Sequence, residues 1–170
     1  MSELLIGAGH DRRRKVSLGS GKQGWTKLVT LDINPDCNPN IVHDLEQLPY
    51  PIPSNSFDEI HAYEVLEHVG KQGDWRFFFA QFDEFARILK PNGLLFTTSP
   101  AHESPWVWGD PGHTRYMGPE VYLFLDRSVY EQQLGSTAMT DYRRCFTSNW
   151  ARLVIEEQNG SSIAVLKNLK

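Results

Sequence analysis

The sequence is poor in cysteine and has no long apolar run. Its two cysteines, Cys37 and Cys145, lie far apart and form no Cys-x-x-Cys pair, so neither a disulfide framework nor a zinc site is indicated. Residues 1–6 include no basic residue, and their apolar stretch is too short for a signal peptide or a membrane span. We therefore expect a cytoplasmic protein with reduced thiols and no membrane segment.

An excess of positive charge is also lacking, because 17 Lys and Arg are outnumbered by 21 Asp and Glu, for a formal net charge of -4. The molecule as a whole therefore lacks the positive field of a protein that coats nucleic acid. Basic residues cluster only locally, at residues 12–15, Lys22 and Lys27. We interpret this cluster as a solvated loop, with contact to an anionic substrate as the alternative.

The order of apolar runs and turn residues indicates an α/β protein. Four predicted strands each stop at a glycine or a polar residue, at Gly7, Asp32, Asp44 and Glu64. In a doubly wound sheet the ligand binds outside the carboxyl ends of the strands, so these positions are placed to contact a ligand. No repeat or linker interrupts the 170 residues, a length sufficient for one core. We predict a single domain over residues 1–170.

The rest of the pattern predicts two helices, a fifth strand and a hairpin. Apolar residues recur at steps of three and four between Gly73 and Lys90, which is typical of an amphipathic helix. A turn over residues 90–93 and a strand follow, and Pro119 is suited to begin a second helix. Asn159-Gly160 between two apolar runs is a strong hairpin signal. The pattern predicts a doubly wound, seven-stranded, mostly parallel sheet with helices on both faces and a C-terminal antiparallel hairpin.

Several short motifs occur in the order and spacing of one enzyme family. They are Gly7-Ala8-Gly9, Asp32, Phe57-Asp58-Glu59-Ile60, Leu66-Glu67-His68 and Leu89-Lys90-Pro91-Asn92-Gly93. In these motifs the chain resembles the class I S-adenosylmethionine (SAM)-dependent methyltransferases, in particular small members of the methyltransferase type 11 kind. The resemblance implies a Rossmann-like fold, SAM as the methyl donor, S-adenosylhomocysteine (SAH) as the product, and an acceptor that the motifs do not identify.

The resemblance and the chemistry of SAM give the strand ends their roles. Gly7 and Gly9 let the backbone approach the cofactor closely, and Asp32 is suited to accept hydrogen bonds from both ribose hydroxyls. The resemblance assigns Asp44 to the adenine amino group and Leu45 to the adenine ring. The complete predicted cofactor set is Gly7, Ala8, Gly9, Asp32, Ile33, Asp44, Leu45 and Glu64.

Structural alternatives stay open at three of these positions. Asp32 is equally suited to cap a turn before Asn34-Pro35, and Asp44 to be a helix N-cap. Glu64 either accepts a hydrogen bond from the SAM ammonium, shapes the substrate mouth or is solvated.

A catalytic base is optional in methyl transfer, since positioning and desolvation carry much of the barrier reduction. If one is used, His68, His102 and His113 are the candidates, because imidazole exchanges protons near neutral pH, and we predict His113 and His68 as the catalytic pair. His113 belongs to a loop, residues 99–117, that we expect to fold over the methyl-donor end and to select the acceptor. His102, Asp110 and His113 match no strong ligand spacing, so no metal is expected.

Two rival functions follow from the same residues. A nicotinamide oxidoreductase is disfavoured, because Arg12 occupies the place of the third glycine in the dinucleotide fingerprint. A non-catalytic SAM-binding or partner-binding subunit stays open, since residues 12–21 are polar where the family has its first helix, and a fold does not prove activity. Residues 64–67 lack the Asp-Pro-Pro-Tyr type of motif, which disfavours DNA amino-methylation. Small-molecule, RNA, peptide and sugar acceptors are left open, as is the oligomeric state.

Overall fold

A computed structural model describes residues 1–19 and 24–170, whose strands form a seven-stranded sheet. The strands are β1 (Glu3–Ile6), β2 (Leu28–Asp32), β3 (Ile41–Val42), β4 (Phe57–Tyr63), β5 (Leu89–Pro100), β6 (Trp150–Gln158) and β7 (Ser161–Asn168). Their order across the sheet is β3-β2-β1-β4-β5-β7-β6. Neighbours among β1 to β5 are parallel, whereas β7 is antiparallel to both β5 and β6. The predicted seven-stranded, mostly parallel α/β sheet is confirmed.

The hairpin between β6 and β7 forms where the sequence predicts it. The backbone φ angle is 52° at Asn159 and 79° at Gly160, so both residues are in the left-handed region. A two-residue turn with this geometry matches the right-handed twist of the strands that it joins. The antiparallel end of the sheet is therefore specified locally.

The first predicted helix is α1 (Trp75–Ile88). It begins after Asp74, whose Oδ1 accepts a hydrogen bond from the Phe77 amide at 3.1 Å. Phe79, Phe82 and Phe85 are buried in the main core. The spacing of the aromatic residues therefore reflects core packing.

The predicted turn over residues 90–93 lies inside a strand, because β5 already begins at Leu89, directly after α1. Asn92 still has the positive φ of 63° that an Asn-Gly turn favours. The register between β4 and β5 shifts between Phe57 and Glu59. The turn residues thus form a bulge in a paired strand, and the long-range pairing with β4 accounts for the difference from the prediction.

The second predicted helix begins at Pro119, but it is a 3-10 helix that ends at Leu125. Asp126 then caps α3 (Arg127–Gln133) by accepting a hydrogen bond from the Ser128 amide at 3.1 Å. A shorter helix, numbered α2 (Trp106–Gly109), precedes both and lies in the loop after β5. Among the described residues, no helix has both the length and the apolar character needed to cross a bilayer.

The helices pack against one face of the sheet. The main core cluster joins residues of β1, β4 and β5 to α1, the 3-10 helix Pro119–Leu125 and α3. A smaller cluster on the other face is built around Leu5, Tyr63, Phe96 and Val165, and none of its described members lies in a helix. Within residues 1–19 and 24–170, the expectation of helices on both faces is met on one face only. Residues 10–15 are all polar or charged, so they lack the apolar stripe of a packed helix.

A buried polar network covers part of this second face. Arg14 Nη2 donates to Glu3 Oε1 at 2.9 Å and to Glu59 Oε2 at 2.8 Å. The His61 ring lies between Glu59 Oε2, 3.0 Å from Nε2, and the Tyr63 hydroxyl, 2.6 Å from Nδ1. The interpretation of residues 12–15 as a solvated loop is therefore wrong for Arg14, whose side chain is only 2% exposed.

The network fixes the charges of its members. Burial lowers the pKa of His61 despite its hydrogen bond to Glu59. Burial on its own raises the pKa of Glu59, but the hydrogen bonds from His61 and Arg14 outweigh it and lower the pKa to about 2. The ring of Trp25 covers the network, 4.9 Å from the His61 ring and 4.6 Å from the Arg14 guanidinium. At neutral pH the network therefore joins a neutral imidazole to a charged carboxylate and a charged guanidinium.

Candidate functional site

Two adjoining clefts lie at the carboxyl ends of the parallel strands. The first, the β2 cleft, has a volume of about 440 Å³ and is lined by Gly7, Leu31, Asp32, Ile33, His43, Asp44, Leu45, Glu46, Val65, His68 and Val69. The second, the loop cleft, has a volume of about 420 Å³ and is lined by Glu64, Glu67, His68, Pro100, Ser104, Trp106, Asp110, His113, Asn159, Gly160 and Ser161. His68 lines both clefts, so the two clefts adjoin at this residue.

The glycine motif after β1 is required by the backbone. Gly7 and Gly9 have φ angles of 59° and 50°, a region that L side chains rarely adopt. A Cβ atom on Gly7 would collide with the side chain of Val65. The Gly9 amide donates to Asp32 Oδ2 at 2.8 Å. Glycine is therefore required at residue 7 by the protein's own packing against Val65, and the predicted approach of Gly7 to a cofactor stays a prediction.

Ala8 and Gly9, both predicted to bind cofactor, line neither of the two clefts. Ala8 belongs to the smaller core cluster and is 4% exposed. Its amide donates to the Leu31 carbonyl at 3.3 Å, which continues the pairing of β1 with β2. The side chain of Ala8 thus contributes to the packing of the sheet.

Asp32 ends β2 with its carboxylate at the edge of the β2 cleft. Oδ1 accepts the Asn34 amide at 2.8 Å and Oδ2 accepts the Gly9 amide at 2.8 Å. Asp32 is therefore the turn cap that the sequence allowed as an alternative. Since each carboxylate oxygen accepts up to two hydrogen bonds, two further donors can still be bound. The next residue, Ile33, leaves 63% of its surface exposed beside the cleft.

Asp44 and Leu45 lie across the same cleft. Asp44 Oδ1 accepts the Glu46 amide at 2.9 Å, and the Asp44 carbonyl accepts the Gln47 amide at 3.0 Å. These bonds close a turn, so Asp44 does not cap a helix. Leu45 is buried against the main core. The structure thus brings Asp32, Ile33, Asp44 and Leu45, which lie at the ends of the two strands β2 and β3, around one cavity.

Glu64 follows β4 and lies on the loop-cleft side of the strand ends. Its backbone has a φ of 53°, an uncommon conformation for a glutamate. Its amide donates to the Thr98 carbonyl at 2.8 Å, and its side chain is exposed. The side chain also borders a third cleft of about 480 Å³ that contains Lys15 and Ser161. Glu64 is therefore placed at the mouth of the loop cleft.

Glu67 is a buried acid that the sequence analysis did not select as a site residue. It is 2% exposed, and within the described ranges neither carboxyl oxygen has a hydrogen-bond partner. Burial raises the pKa of Glu67 to about 8, and the nearby Glu64 carboxyl raises it as well. No signal in the sequence marks it, because Glu67 lies beside His68 and close to Glu64, a polar context in which a solvated acid is equally expected.

His68 and His113, the two predicted catalytic histidines, are brought together by the fold. Their ring centroids lie 4.5 Å apart in an edge-to-face arrangement. His68 Nδ1 is 3.1 Å from the Gly112 carbonyl, and His113 Nδ1 is 3.3 Å from the Val107 carbonyl. His102 lies elsewhere, with its amide bound to Glu157 at 3.1 Å and its ring against Tyr116. The proximity of His68 and His113 is not evident in the sequence, because 44 residues separate them.

The loop over residues 99–117 borders the cleft that is named after it. Ser99 Oγ donates to the Met117 carbonyl at 2.9 Å, which closes the loop at its base. The Thr114 amide donates to the Glu67 carbonyl at 2.8 Å, which holds the loop against the end of β4. Trp106 lines the cleft with 66% of its surface exposed. The loop is therefore anchored at both ends and presents an aromatic ring to the cavity.

Two arginines of the basic cluster bind groups of the protein itself. Arg12 Nη2 donates to the Cys37 and Asn38 carbonyls at 2.5 and 2.8 Å. Arg13 pairs with Asp11 at 2.8 Å, and its side chain is exposed. Arg12 and Arg13 are both exposed, so the solvated-loop interpretation fits both residues. Lys22, another member of the cluster, lies outside the described residues.

Comparison with known proteins is consistent with this geometry. Residues 7–97, more than half of the chain, match the methyltransferase domain family. A SAM-dependent methyltransferase from Archaeoglobus fulgidus is 16% identical with a TM-score of 0.59, covering 98% of this chain and 85% of that chain. One from Aquifex aeolicus is 16% identical with a TM-score of 0.58, covering 100% and 82%.

A third solved structure, the methyltransferase CalH in complex with SAH, is 16% identical with a TM-score of 0.54, covering 98% of this chain and 51% of that chain. At these identities the solved structures show a shared fold alone. No curated protein matches the sequence.

Proposed function

The chain belongs to the methyltransferase domain family, and on this premise we propose that it transfers a methyl group from SAM to an acceptor bound in the loop cleft. The observation that carries the proposal is the meeting of two clefts at His68, at the carboxyl ends of β1, β2 and β4. One cleft has the size and lining for a nucleoside, and the other has polar groups for an acceptor.

The β2 cleft fits the nucleoside part of SAM. Asp32 retains acceptor capacity for ribose hydroxyls, and Ile33 and Leu45 offer apolar surface for a purine ring. Asp44 lies across the cleft with its carboxylate available to an exocyclic amine. When bound, SAM supplies an electrophilic methyl group, and the residues of the chain supply binding and orientation.

The loop cleft fits a polar acceptor. Glu64 is placed at its mouth, and His68 and His113 line its wall. In this proposal the two imidazoles contact the acceptor, as polar contacts or as a base. The exposed ring of Trp106 offers a flat apolar surface beside them.

The nucleoside assignment is tested by a charged residue in the cleft. Ile33→Glu places a carboxylate where the proposal puts the adenine, so SAM and SAH affinity should fall at least tenfold in calorimetry. Val42→Glu is the matched control, since Val42 is 56% exposed on the neighbouring strand β3 and lines neither cleft. Equal affinity in the two variants would reject the assignment.

Transfer itself is tested with labelled SAM and fractionated host extract. Label that moves from SAM to a fraction only with the intact chain would support the enzyme. SAM binding without transfer to any fraction would support the rival proposal of a non-catalytic SAM-binding or partner-binding subunit.

We also propose that residues 1–170 work as one domain in the cytoplasm. β6 and β7 complete the sheet whose first strands form the β2 cleft, so the C-terminal hairpin and the cofactor cleft share one scaffold. Cys37 and Cys145 are free thiols, which agrees with a reducing compartment.

A further inference from the structure

We propose that Glu67, His68 and His113 form a binding site for a first-row divalent transition-metal ion in the loop cleft. One donor atom from each of the three side chains lies within 4.8 Å of the others. The sequence analysis expected no metal because it compared the spacing of His102, Asp110 and His113. The fold instead brings His113 to two residues that directly follow β4.

The hydrogen bonds of the two rings leave the same nitrogen free for a metal. His68 Nδ1 faces the Gly112 carbonyl and His113 Nδ1 faces the Val107 carbonyl, at 3.1 and 3.3 Å. A carbonyl oxygen only accepts hydrogen bonds, so each Nδ1 carries the proton and each neutral ring keeps a lone pair on Nε2. Backbone carbonyls hold metal-ligating histidines in this way in many proteins.

Glu67 supplies an oxygen donor that has no other partner. Both of its carboxyl oxygens are buried and lack hydrogen bonds in the described part of the chain, although the residue lines the loop cleft. Buried polar groups in folded proteins are nearly always paired, so an orphaned carboxyl beside two imidazoles calls for a ligand. A cation would satisfy both oxygens.

The backbone around the three side chains is held in place. The Glu67 carbonyl accepts the Thr114 and Arg115 amides at 2.8 and 3.2 Å, which ties the loop of His113 to the turn of His68. Arg115 Nε donates to the Leu66 carbonyl at 2.8 Å, and Arg115 itself is buried. The ligand set is therefore presented by a fixed pair of segments.

The donor set selects the class of ion. Two imidazole nitrogens and one carboxylate favour zinc, iron, cobalt or manganese over calcium and magnesium, which prefer oxygen ligands. Asp110 lies beside this set and offers a fourth ligand, since its Oδ2 is 3.8 Å from His113 Nε2. Three protein ligands leave coordination positions toward the cavity. The role of those positions rests on the proposed function: with Nε2 of both histidines on the metal, the open positions take the place of the direct imidazole contacts and fit an acceptor that presents oxygen atoms.

The test measures metal binding without any acceptor. The untagged chain is stripped with a chelator and desalted, and is then titrated with Co²⁺ by visible absorption and with Zn²⁺ by calorimetry. We expect one ion per chain and a Co²⁺ absorption band. His68→Ala, His113→Gln and Glu67→Gln should each weaken binding at least tenfold, whereas His102→Ala, an exposed histidine of the same loop, should bind like the wild type.

Absence of stoichiometric binding to the wild type would overturn the site. So would binding that is unchanged in the three ligand variants or is lost in His102→Ala. SAM affinity is measured on the same samples to show that the variants fold. If the wild type binds metal but not SAM, the metal site stands and the proposed function is rejected. If it binds SAM but not metal, the metal site is rejected and the proposed function stands.

Discussion

At the scale of single residues, the contact between Gly7 and Val65 gives a testable prediction. The two residues follow β1 and β4 and line the β2 cleft. Gly7→Ala should lower the free energy of unfolding by about 2–4 kcal/mol in urea titrations. Part of this is the cost of a side chain in the left-handed region, about 1–2 kcal/mol, and the rest is the collision of the new methyl group with Val65.

The neighbouring glycine provides the control. Gly9 has a similar φ of 50° but no atom within 4 Å of the place a Cβ would take. Gly9→Ala should therefore cost only the conformational part, about 1–2 kcal/mol. The change Val65→Ala removes the side chain that the new methyl group meets, so it should be less harmful to stability in the Gly7→Ala protein than in the wild type. If the effects of the two substitutions on the free energy of unfolding were simply additive, the collision would be contradicted.

The residues that line the β2 cleft could be predicted from the sequence better than those that line the loop cleft. Asp32 and Asp44 each follow a strand, and the topology of a parallel sheet brings such positions together. Glu67 was not predicted as a site residue, because nothing in a single sequence distinguishes a buried carboxyl group without hydrogen-bond partners from a solvated one. The meeting of His68 with His113 depends on how a long loop folds back, which periodicity does not encode.

At the scale of an element, a segment without helical structure covers the face of the sheet that contains the smaller core cluster, and Arg14 binds it to the sheet. Removing one partner from a buried charge cluster leaves the others uncompensated, so Arg14→Ala should lower the free energy of unfolding by about 3–5 kcal/mol. Glu3 and Glu59 are the carboxylates left behind. Urea unfolding followed by circular dichroism provides the measurement.

Arg13→Ala is the matched control, because the neighbouring arginine is exposed and pairs only with Asp11 among the contacts described for its side chain. Its unfolding midpoint should match the wild type within error. If Arg14→Ala also matched the wild type, the buried network would not be a source of stability for the segment.

Elements with local signals were predictable, and those set by distant contacts were not. The cap and aromatic stripe of α1 and the Asn159-Gly160 turn are encoded within a few residues. The start of β5 at Leu89 depends on pairing with β4. The segment over the smaller core cluster depends on the salt bridge between Arg14 and Glu59, which are 45 positions apart. Short-range patterns contain neither contact.

At the scale of the whole molecule, strand β4 connects the loop cleft with the buried polar network. β4 is parallel to β1 and β5 and is central in the sheet. Its carboxyl end leads into Glu64, Glu67 and His68, whereas its middle contributes Glu59 and His61 to the buried network. A change in the charge of that network therefore acts on the global stability of the sheet.

His61 makes this stability depend on pH. The groups that face it are Glu59 and Tyr63 on β4, Arg14 and Trp25 from the covering segment, Glu3 on β1 and Phe96 on β5. Burial lowers the pKa of His61 in the folded state below the ordinary value of 6.5. Below that pH the unfolded chain binds a proton that the folded chain does not, so the contribution of His61 to stability is complete above pH 6.5 and is lost as the pH falls.

His61→Gln separates this effect from other titrating groups, since glutamine can donate to Glu59 and accept from Tyr63 without titrating. The free energy of unfolding is measured for both proteins in urea between pH 7.5 and about 5, a window that lies above the titration of Glu59. The wild type should lose stability relative to His61→Gln as the pH falls through 6.5, by at most about 1.4 kcal/mol per pH unit. A difference between the two proteins that is constant across this window would show that the folded protein binds a proton at His61 as readily as the unfolded chain does.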